Sequence, residues 1–157
     1  AVLDIGAPAL ALGHAFGRIG CILNGCCFGK PTGCSFGVTY PHGVLPAHFN
    51  SEVVRHPVQL YESGLNFILF LVLFSLVGKL KRGRIAALYL ICYGLIRFTD
   101  EFFRGDSNRI FNILTGAQVI CLFLVPIGII LYIKSKNNER LTKIETDSSA
   151  GTEQSAD

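Results

Sequence analysis

The sequence predicts an all-α polytopic membrane protein, with four visible transmembrane helices of a larger bundle and a small external head between the first two. Half of the 157 residues are hydrophobic and only 16% are charged, whereas soluble domains contain roughly 25% charged residues. The apolar residues also occur in long blocks, since residues 63–78 and 110–133 contain no charged side chain. Each block approaches the roughly 20 residues that cross the hydrocarbon core of a bilayer.

Four spans follow from these blocks. The first contains Pro8 near its beginning, where proline is tolerated, and glycines spaced so that another helix can approach closely. The second begins at Pro57, because proline fits the first turn of a helix. The predicted spans cover residues 3–27, 57–78, 85–104 and 110–133.

Residues 28–56 differ in composition from the spans and form the predicted external head. They are rich in glycine, proline, histidine, serine, threonine and aromatic side chains, and Pro31, Pro41 and Pro46 interrupt any helix. Short pieces such as residues 36–40 favour β-structure.

Basic residues predict the orientation of the spans. They cluster between the second and third spans and directly after the fourth: Lys79, Lys81, Arg82, Arg84, Lys134 and Lys136. Because basic loops stay on the cytoplasmic side, the head faces outward and the C-terminus is cytoplasmic. Residues 134–157 lack the apolar surface needed to fold and are predicted to be a disordered cytoplasmic tail. The orientation of the spans is enough to explain these basic groups, so no nucleic acid is predicted as a partner.

The third predicted span carries charges at bilayer depth. Arg97 lies within it and is followed by Asp100, Glu101 and Arg104, and a rotation of 100° per residue places them with Tyr93 on one helix face. A charge in the bilayer costs a few kcal/mol or more, so it is normally paired, turned inward and functional. The pattern indicates a site for an anion. The alternative is that Arg97 pairs with a neighbouring carboxylate only to hold helices together.

A second polar face is predicted on the first span. His14, Arg18, Cys21 and Gly25 share one side of that helix. Arg18 would lie in the outer part of its span, as Arg97 does in its own, so two arginines could face one cavity. A guanidinium stays protonated and offers a planar fork of donors that suits phosphate. The ligand indicated is the phosphate of a lipid that enters from the bilayer.

Several other residues leave alternatives open. His56 could act as a base or could simply begin a helix with a hydrogen bond. Cys26 or Cys27 could form a disulfide with Cys34 in an oxidising compartment, and these thiols could instead exchange in a redox enzyme. Their spacing does not fit paired C-x-x-C ligands, so neither a metal site nor a cofactor is predicted.

Three motifs resemble the prolipoprotein diacylglyceryl transferase family. They are GRIGCILNG at residues 17–25, RHPVQLYE at 55–62 and YGLIRFTDEFFR at 93–104, in the family's order. The likeness covers the chain up to its polar tail. It implies a multi-pass enzyme of the bacterial inner membrane that transfers the diacylglyceryl group of phosphatidylglycerol to a cysteine thiol. The acceptor would be the lipobox cysteine of a prolipoprotein signal peptide, in the first step of lipoprotein maturation.

The resemblance also implies roles for individual residues. Four would be catalytic: Arg97, Tyr93, Glu101 and Arg104. Three would bind phosphatidylglycerol: Arg18, Asn24 and Gly29. A non-catalytic membrane subunit that binds or transports an anion or a lipid is the alternative function.

Two departures from the family limit what the resemblance implies. Cys21 and Cys26 stand where better-known members have asparagine and glutamate, so a polar or acidic role does not carry over. The family's histidine-containing motif of an earlier span is absent, and His14 is not its counterpart. Residues 1–133 are therefore expected to be the C-terminal part of one transferase domain, and this chain alone is expected to be inactive.

Overall fold

A computed structural model describes residues 2–41, 45, 50–80, 83–105, 109–110 and 114–153. Within these residues the chain forms helices and one short hairpin, in the order α1 (Val2–Leu23), α2 (Val58–Leu76), α3 (Arg84–Phe103), β1 (Arg109–Ile110), β2 (Leu114–Thr115) and α4 (Gly116–Glu153). Strands β1 and β2 are antiparallel, with Arg109 opposite Thr115. Residues 42–44 and 46–49 of the predicted head lie outside the described residues.

Helix α1 ends at Leu23, earlier than the predicted end of the first span at 27. The cause is Gly25, whose positive φ of 66° reverses the chain. Its N–H donates to the Ile22 carbonyl oxygen at 3.1 Å, and the Cys26 N–H donates to the Cys21 carbonyl oxygen at 3.1 Å. This pair of bonds is the Schellman arrangement that a glycine after a helix favours.

Helix α4 differs from the prediction at both ends. It begins at Gly116 rather than 110, because the Gln118 N–H donates to Thr115 Oγ1 at 3.3 Å and the Thr115 N–H donates to Gln118 Oε1 at 3.1 Å. This reciprocal capping fixes the start of a helix. The helix continues to Glu153, through much of the segment for which composition predicts disorder. Lysine, glutamate, arginine and leucine favour helix there, and extending a helix needs no new nucleus.

The core lies where α1, α2 and α3 meet. It is formed by Ala7, Ala11, Leu69, Leu73, Ile85 and Tyr89. Helix α4 packs against α3 at two glycines, since a Cβ on Gly94 would lie 2.8 Å from Val125 Cγ2 and one on Gly128 would lie 2.8 Å from Ile91 Cγ1. Small residues allow such close approach of helices in lipid.

Three helical segments are long and apolar enough to cross a membrane: Val2–Leu23, Val58–Leu76 and Gly116–Asn137. Helix α3 is not among them, because Arg97, Asp100 and Glu101 interrupt its apolar sequence. The prediction of an all-α membrane protein is confirmed at this level of detail, and the chain is a multi-pass membrane protein.

The beginning of α3 is capped by a side chain of α1. Asp4 Oδ2 accepts a hydrogen bond from the Gly83 N–H at 2.6 Å, and Asp4 Oδ1 accepts one from the Ala86 N–H at 3.0 Å. A carboxylate at a helix N-terminus satisfies free N–H groups and interacts favourably with the helix dipole. No role for Asp4 was predicted from the sequence.

Replacing Asp4 by alanine is therefore expected to destabilise the complete protein by about 1–2 kcal/mol, the usual effect of removing a buried helix cap. Thermal unfolding in detergent micelles measures the change. The matched control is Glu52→Ala, which removes an exposed carboxylate between α1 and α2 and should leave the midpoint unchanged. Equal midpoints for the two variants would show that the Asp4 cap does not contribute to stability.

Candidate functional site

Glu62 of α2 lies between two arginines that come from different helices. Its Oε1 is 2.8 Å from Nη2 of Arg18 on α1, and its Oε2 is 3.6 Å from Nη1 of Arg97 on α3. The Glu62 side chain is only 2% exposed, and the two arginine side chains are 16% and 14% exposed. A carboxylate so deeply buried requires compensation by partners such as these. Glu62 therefore joins α1, α2 and α3 through one ionic contact network.

A second carboxylate continues this network along α3. Glu101 Oε2 is 3.2 Å from Arg97 Nη1 and 3.8 Å from Arg104 Nη1. Asp100 is also buried on this helix, at 3% exposure. The spacings of three and four residues put these groups on adjacent helical turns. Arg97 and Arg104 are therefore linked through Glu101 on one side of α3.

Tyr93 is positioned by an aromatic stack between α1 and α3. Its ring lies 4.6 Å from the His14 ring at an interplanar angle of 13°, and 5.5 Å from the Tyr89 ring at 16°. The Tyr89 hydroxyl and His14 Nδ1 are 3.1 Å apart, within hydrogen-bond distance. The stack holds Tyr93 one helical turn before Arg97, on the face that carries the ion pairs.

Gly29 lies where the segment after α1 passes between two other parts of the chain. Its N–H donates to the His56 carbonyl oxygen at 3.2 Å, and it forms an isolated antiparallel bridge with Arg104. The neighbouring Lys30 N–H donates to the Phe103 carbonyl oxygen at 2.9 Å. A side chain at position 29 would meet the His56 backbone. Glycine is required there by close approach, and the contact fixes the end of α3 that carries Arg104.

A sequence model of the prolipoprotein diacylglyceryl transferase family matches residues 1–134.

The chain belongs to the prolipoprotein diacylglyceryl transferase family.

Three relatives illustrate the likeness. A Clostridium tetani protein named phosphatidylglycerol--prolipoprotein diacylglyceryl transferase is 41% identical over 133 residues, covering 83% of this chain and 52% of the relative. A Clostridium perfringens protein of the same name, numbered 2, is 38% identical over 130 residues, covering 82% and 50%. A Stenotrophomonas maltophilia protein of the same name is 35% identical over 155 residues, covering 85% and 52%. The chain spans about half the length of the curated relatives it matches.

Of the residues that the family resemblance implies, the structure brings four into one ion-paired cluster with Glu62: Arg18, Arg97, Glu101 and Arg104. Tyr93 lies on the same face of α3, and Gly29 touches Arg104 through the backbone. Asn24 is exposed at the end of α1, and its side chain forms no hydrogen bond with the residues that the structure describes. The roles of all seven stay predictions.

The motif at 55–62 marked Gln59 and Glu62 as polar groups at the membrane interface, but neither was included among the predicted site residues. Gln59 is 1% exposed, donates from Nε2 to the Cys26 carbonyl oxygen at 2.8 Å and bonds to the Tyr40 hydroxyl. Both residues belong to the motif at 55–62. Glu62 is a charged residue near the beginning of an apolar span, and a charge within a span is also what indicated Arg97. Glu62 could therefore have been assigned to the site from the sequence.

The structure gives the surroundings of His56 and of the cysteines. The His56 ring packs edge-on against Phe103 with centroids 5.8 Å apart, and its backbone bonds to Gly29 and Lys30. These contacts give His56 a packing role, and its use as a base stays an untested alternative. Cys34 is exposed and all six cysteines are free thiols, so the structure contains no disulfide with Cys34.

Proposed function

We propose that the complete protein transfers the diacylglyceryl group of phosphatidylglycerol to the lipobox cysteine thiol of prolipoprotein signal peptides. Membership in the family and the names of its relatives support this reaction. The observation that carries the proposal is the buried network in which Glu62 holds Arg18 and Arg97 from different helices. Such fixed guanidinium groups suit the phosphate of the donor lipid.

The proposed reaction exchanges one bond for another at a glycerol carbon of the donor. The acceptor thiol releases its proton to the solvent, and the thiolate attacks the carbon that bears the phosphate oxygen. A C–S thioether bond forms, the C–O bond breaks, and glycerol phosphate leaves with the bonding electrons. Negative charge grows on the leaving oxygen as the bond breaks. Arginine groups held in place beforehand stabilise that charge where water is excluded.

Each site residue has its own role in the proposed transfer reaction. Arg18 and Arg97 bind the phosphate, and Tyr93 directs its hydroxyl to a phosphate or glycerol oxygen. Glu101 aligns Arg97 and Arg104, which are 3.2 and 3.8 Å away. Glu62 does the same for Arg97 and Arg18 across three helices. The donor-binding set also includes Asn24 and Gly29, through the segment after α1.

The proposed topology places the protein in the bacterial inner membrane, with all four helices as spans. Residues 28–56 form the external head, and residues 134–157 extend into the cytoplasm. Helix α3 crosses the bilayer despite its charges because Asp100 and Glu101 are buried, at 3% and 7% exposure, rather than facing lipid. Residues 1–133 belong to one transferase domain.

The decisive test supplies the complete protein with phosphatidylglycerol vesicles and a lipobox peptide, and follows the peptide's mass. The wild type should add one diacylglyceryl group. Arg97→Ala should reduce the rate by about 100-fold or more, the usual effect of removing a group that stabilises developing charge. The matched control is Lys79→Ala, which removes an exposed cation between α2 and α3.

Near-normal transfer by a folded Arg97→Ala variant would remove that arginine from the mechanism. Absence of any mass gain in the folded wild type, with donor and peptide present, would instead favour a non-catalytic lipid-binding or transport subunit. Binding of labelled phosphatidylglycerol without covalent change would then identify that second function.

A further inference from the structure

Three cysteine thiols converge just beyond the end of α1. The Sγ atoms of Cys21, Cys26 and Cys27 all lie within 4.8 Å of one another, and all three residues are partly buried. Their sequence spacing gives no sign of this, because Cys26 and Cys27 are adjacent and both lie beyond the helix that holds Cys21. The cluster is a product of the local fold.

The turn after α1 explains how the thiols meet. Gly25 reverses the chain, and the Cys26 N–H bonds back to the Cys21 carbonyl oxygen at 3.1 Å, which stacks Cys26 over the last turn of the helix. Cys27 then adopts a positive φ of 60°, which non-glycine residues rarely occupy. Such strain persists only when the surrounding structure holds it in place.

A buried side chain of α2 provides that support. Gln59 Nε2 donates to the Cys26 carbonyl oxygen at 2.8 Å, and the Gln59 amide also bonds to the Tyr40 hydroxyl. Gln59 is 1% exposed and Tyr40 is 6% exposed, so the backbone that carries the thiols is anchored in the protein interior. The cluster is therefore a preorganised set of sulfur atoms.

We propose that Cys21, Cys26 and Cys27 bind a thiophilic divalent cation of the Zn²⁺ type as three thiolate ligands. Zn–S bonds of about 2.3 Å in tetrahedral geometry separate the sulfur atoms by about 3.8 Å, so the observed triangle needs to contract by no more than about 1 Å. Binding forms three metal–sulfur bonds and releases three protons. A fourth coordination position stays open for water or another ligand.

The electrostatic surroundings are compatible with this ion. Three thiolates and one divalent cation carry a net charge of −1, and Arg18 lies one helical turn before Cys21 on α1. The proposed metal site does not depend on the proposed transferase activity.

Titration of the complete protein with Cd²⁺ tests the proposal, because cadmium–thiolate bonds absorb in the ultraviolet. Protein in detergent micelles is reduced, freed of metal and titrated, and the absorption should saturate at one equivalent. Zn²⁺ should displace Cd²⁺ and remove the band. Cys21→Ser, Cys26→Ser and Cys27→Ser should each weaken binding by more than about tenfold, since even loss of an outer partner of a metal ligand costs 10–100-fold.

Cys34→Ser is the matched control, because Cys34 is exposed and outside the cluster, and it should leave the affinity unchanged. X-ray absorption of the wild-type zinc complex should count three sulfur ligands, a result that does not require any variant to fold. Fewer than three sulfur ligands, or no saturable band in the reduced wild type, would overturn the proposal. A disulfide between two of these cysteines in protein purified from zinc-supplied cells would do the same.

Discussion

Glu62→Gln is expected to lower both the transfer rate and the stability of the complete protein. The substitution preserves the size of the side chain and removes the charge that holds Arg18 at 2.8 Å and Arg97 at 3.6 Å. Removing one member of a buried ion pair costs about 3–5 kcal/mol, because the remaining charge keeps its desolvation penalty. Here two arginines lose the same partner.

Two measurements separate the effects of this substitution. The unfolding midpoint in micelles should fall, and the transfer rate of the protein that remains folded should fall by about 100-fold, because the arginines lose their alignment toward the leaving phosphate. Glu52→Gln is the matched control, since it makes the same change at an exposed site. A Glu62→Gln variant with wild-type midpoint and a rate within about twofold of wild type would contradict this account.

A double-mutant cycle tests whether Glu62 acts through Arg18. The losses of transfer rate are expressed as free energies for the two single variants and for the double variant. If Arg18 and Glu62 form one functional unit, the loss in Arg18→Ala combined with Glu62→Gln should be smaller than the sum of the losses in the single variants. Strictly additive losses would show that Arg18 and Glu62 act independently in transfer, although their side chains lie 2.8 Å apart.

The helical face of α3 could be predicted from the sequence because it depends on local geometry alone. A rotation of 100° per residue is enough to place Arg97, Glu101 and Arg104 together, and the ion pairs within α3 follow directly. The partner of Arg18 could not be obtained in this way. Its identity depends on how α1 and α2 are rotated against each other, and an apolar surface facing lipid gives little periodic signal to define that rotation.

The turn after α1 likewise combines a local feature that the sequence predicts with a long-range contact that it does not. The Asn-Gly pair at residues 24–25 is a recognisable stop signal, so the end of the helix before position 27 was predictable. The meeting of three thiols at that turn was not, because it depends on the positive φ of Cys27 and on Gln59 reaching across from α2. The capping of α3 by Asp4 likewise joins residues far apart in the chain. Long-range polar contacts of this kind leave no spacing pattern in a single sequence.

Gly29→Ala is expected to disable the site without removing any charged group. An added Cβ would lie inside van der Waals contact with the His56 carbonyl oxygen and 2.7 Å from His56 Cβ, so one backbone segment must move. That movement opens the bridge to Arg104 and the bond of 2.9 Å from the Lys30 N–H to the Phe103 carbonyl oxygen. Overpacking of this kind costs about 1–3 kcal/mol.

The consequence for catalysis is displacement of Arg104, whose ion pair with Glu101 is already long at 3.8 Å. A misplacement of about 1 Å can cost about 100-fold in rate, so Gly29→Ala should lower transfer by about that factor while much of the protein stays folded. Gly33→Ala adds the same methyl group between α1 and α2, where no atom beyond the adjoining residues lies within 4 Å of the added Cβ, and should behave as wild type. If both variants retained full transfer, the close contact at Gly29 would be a feature of the fold with no influence on the arginine, and the proposed alignment of Arg104 would have to be abandoned.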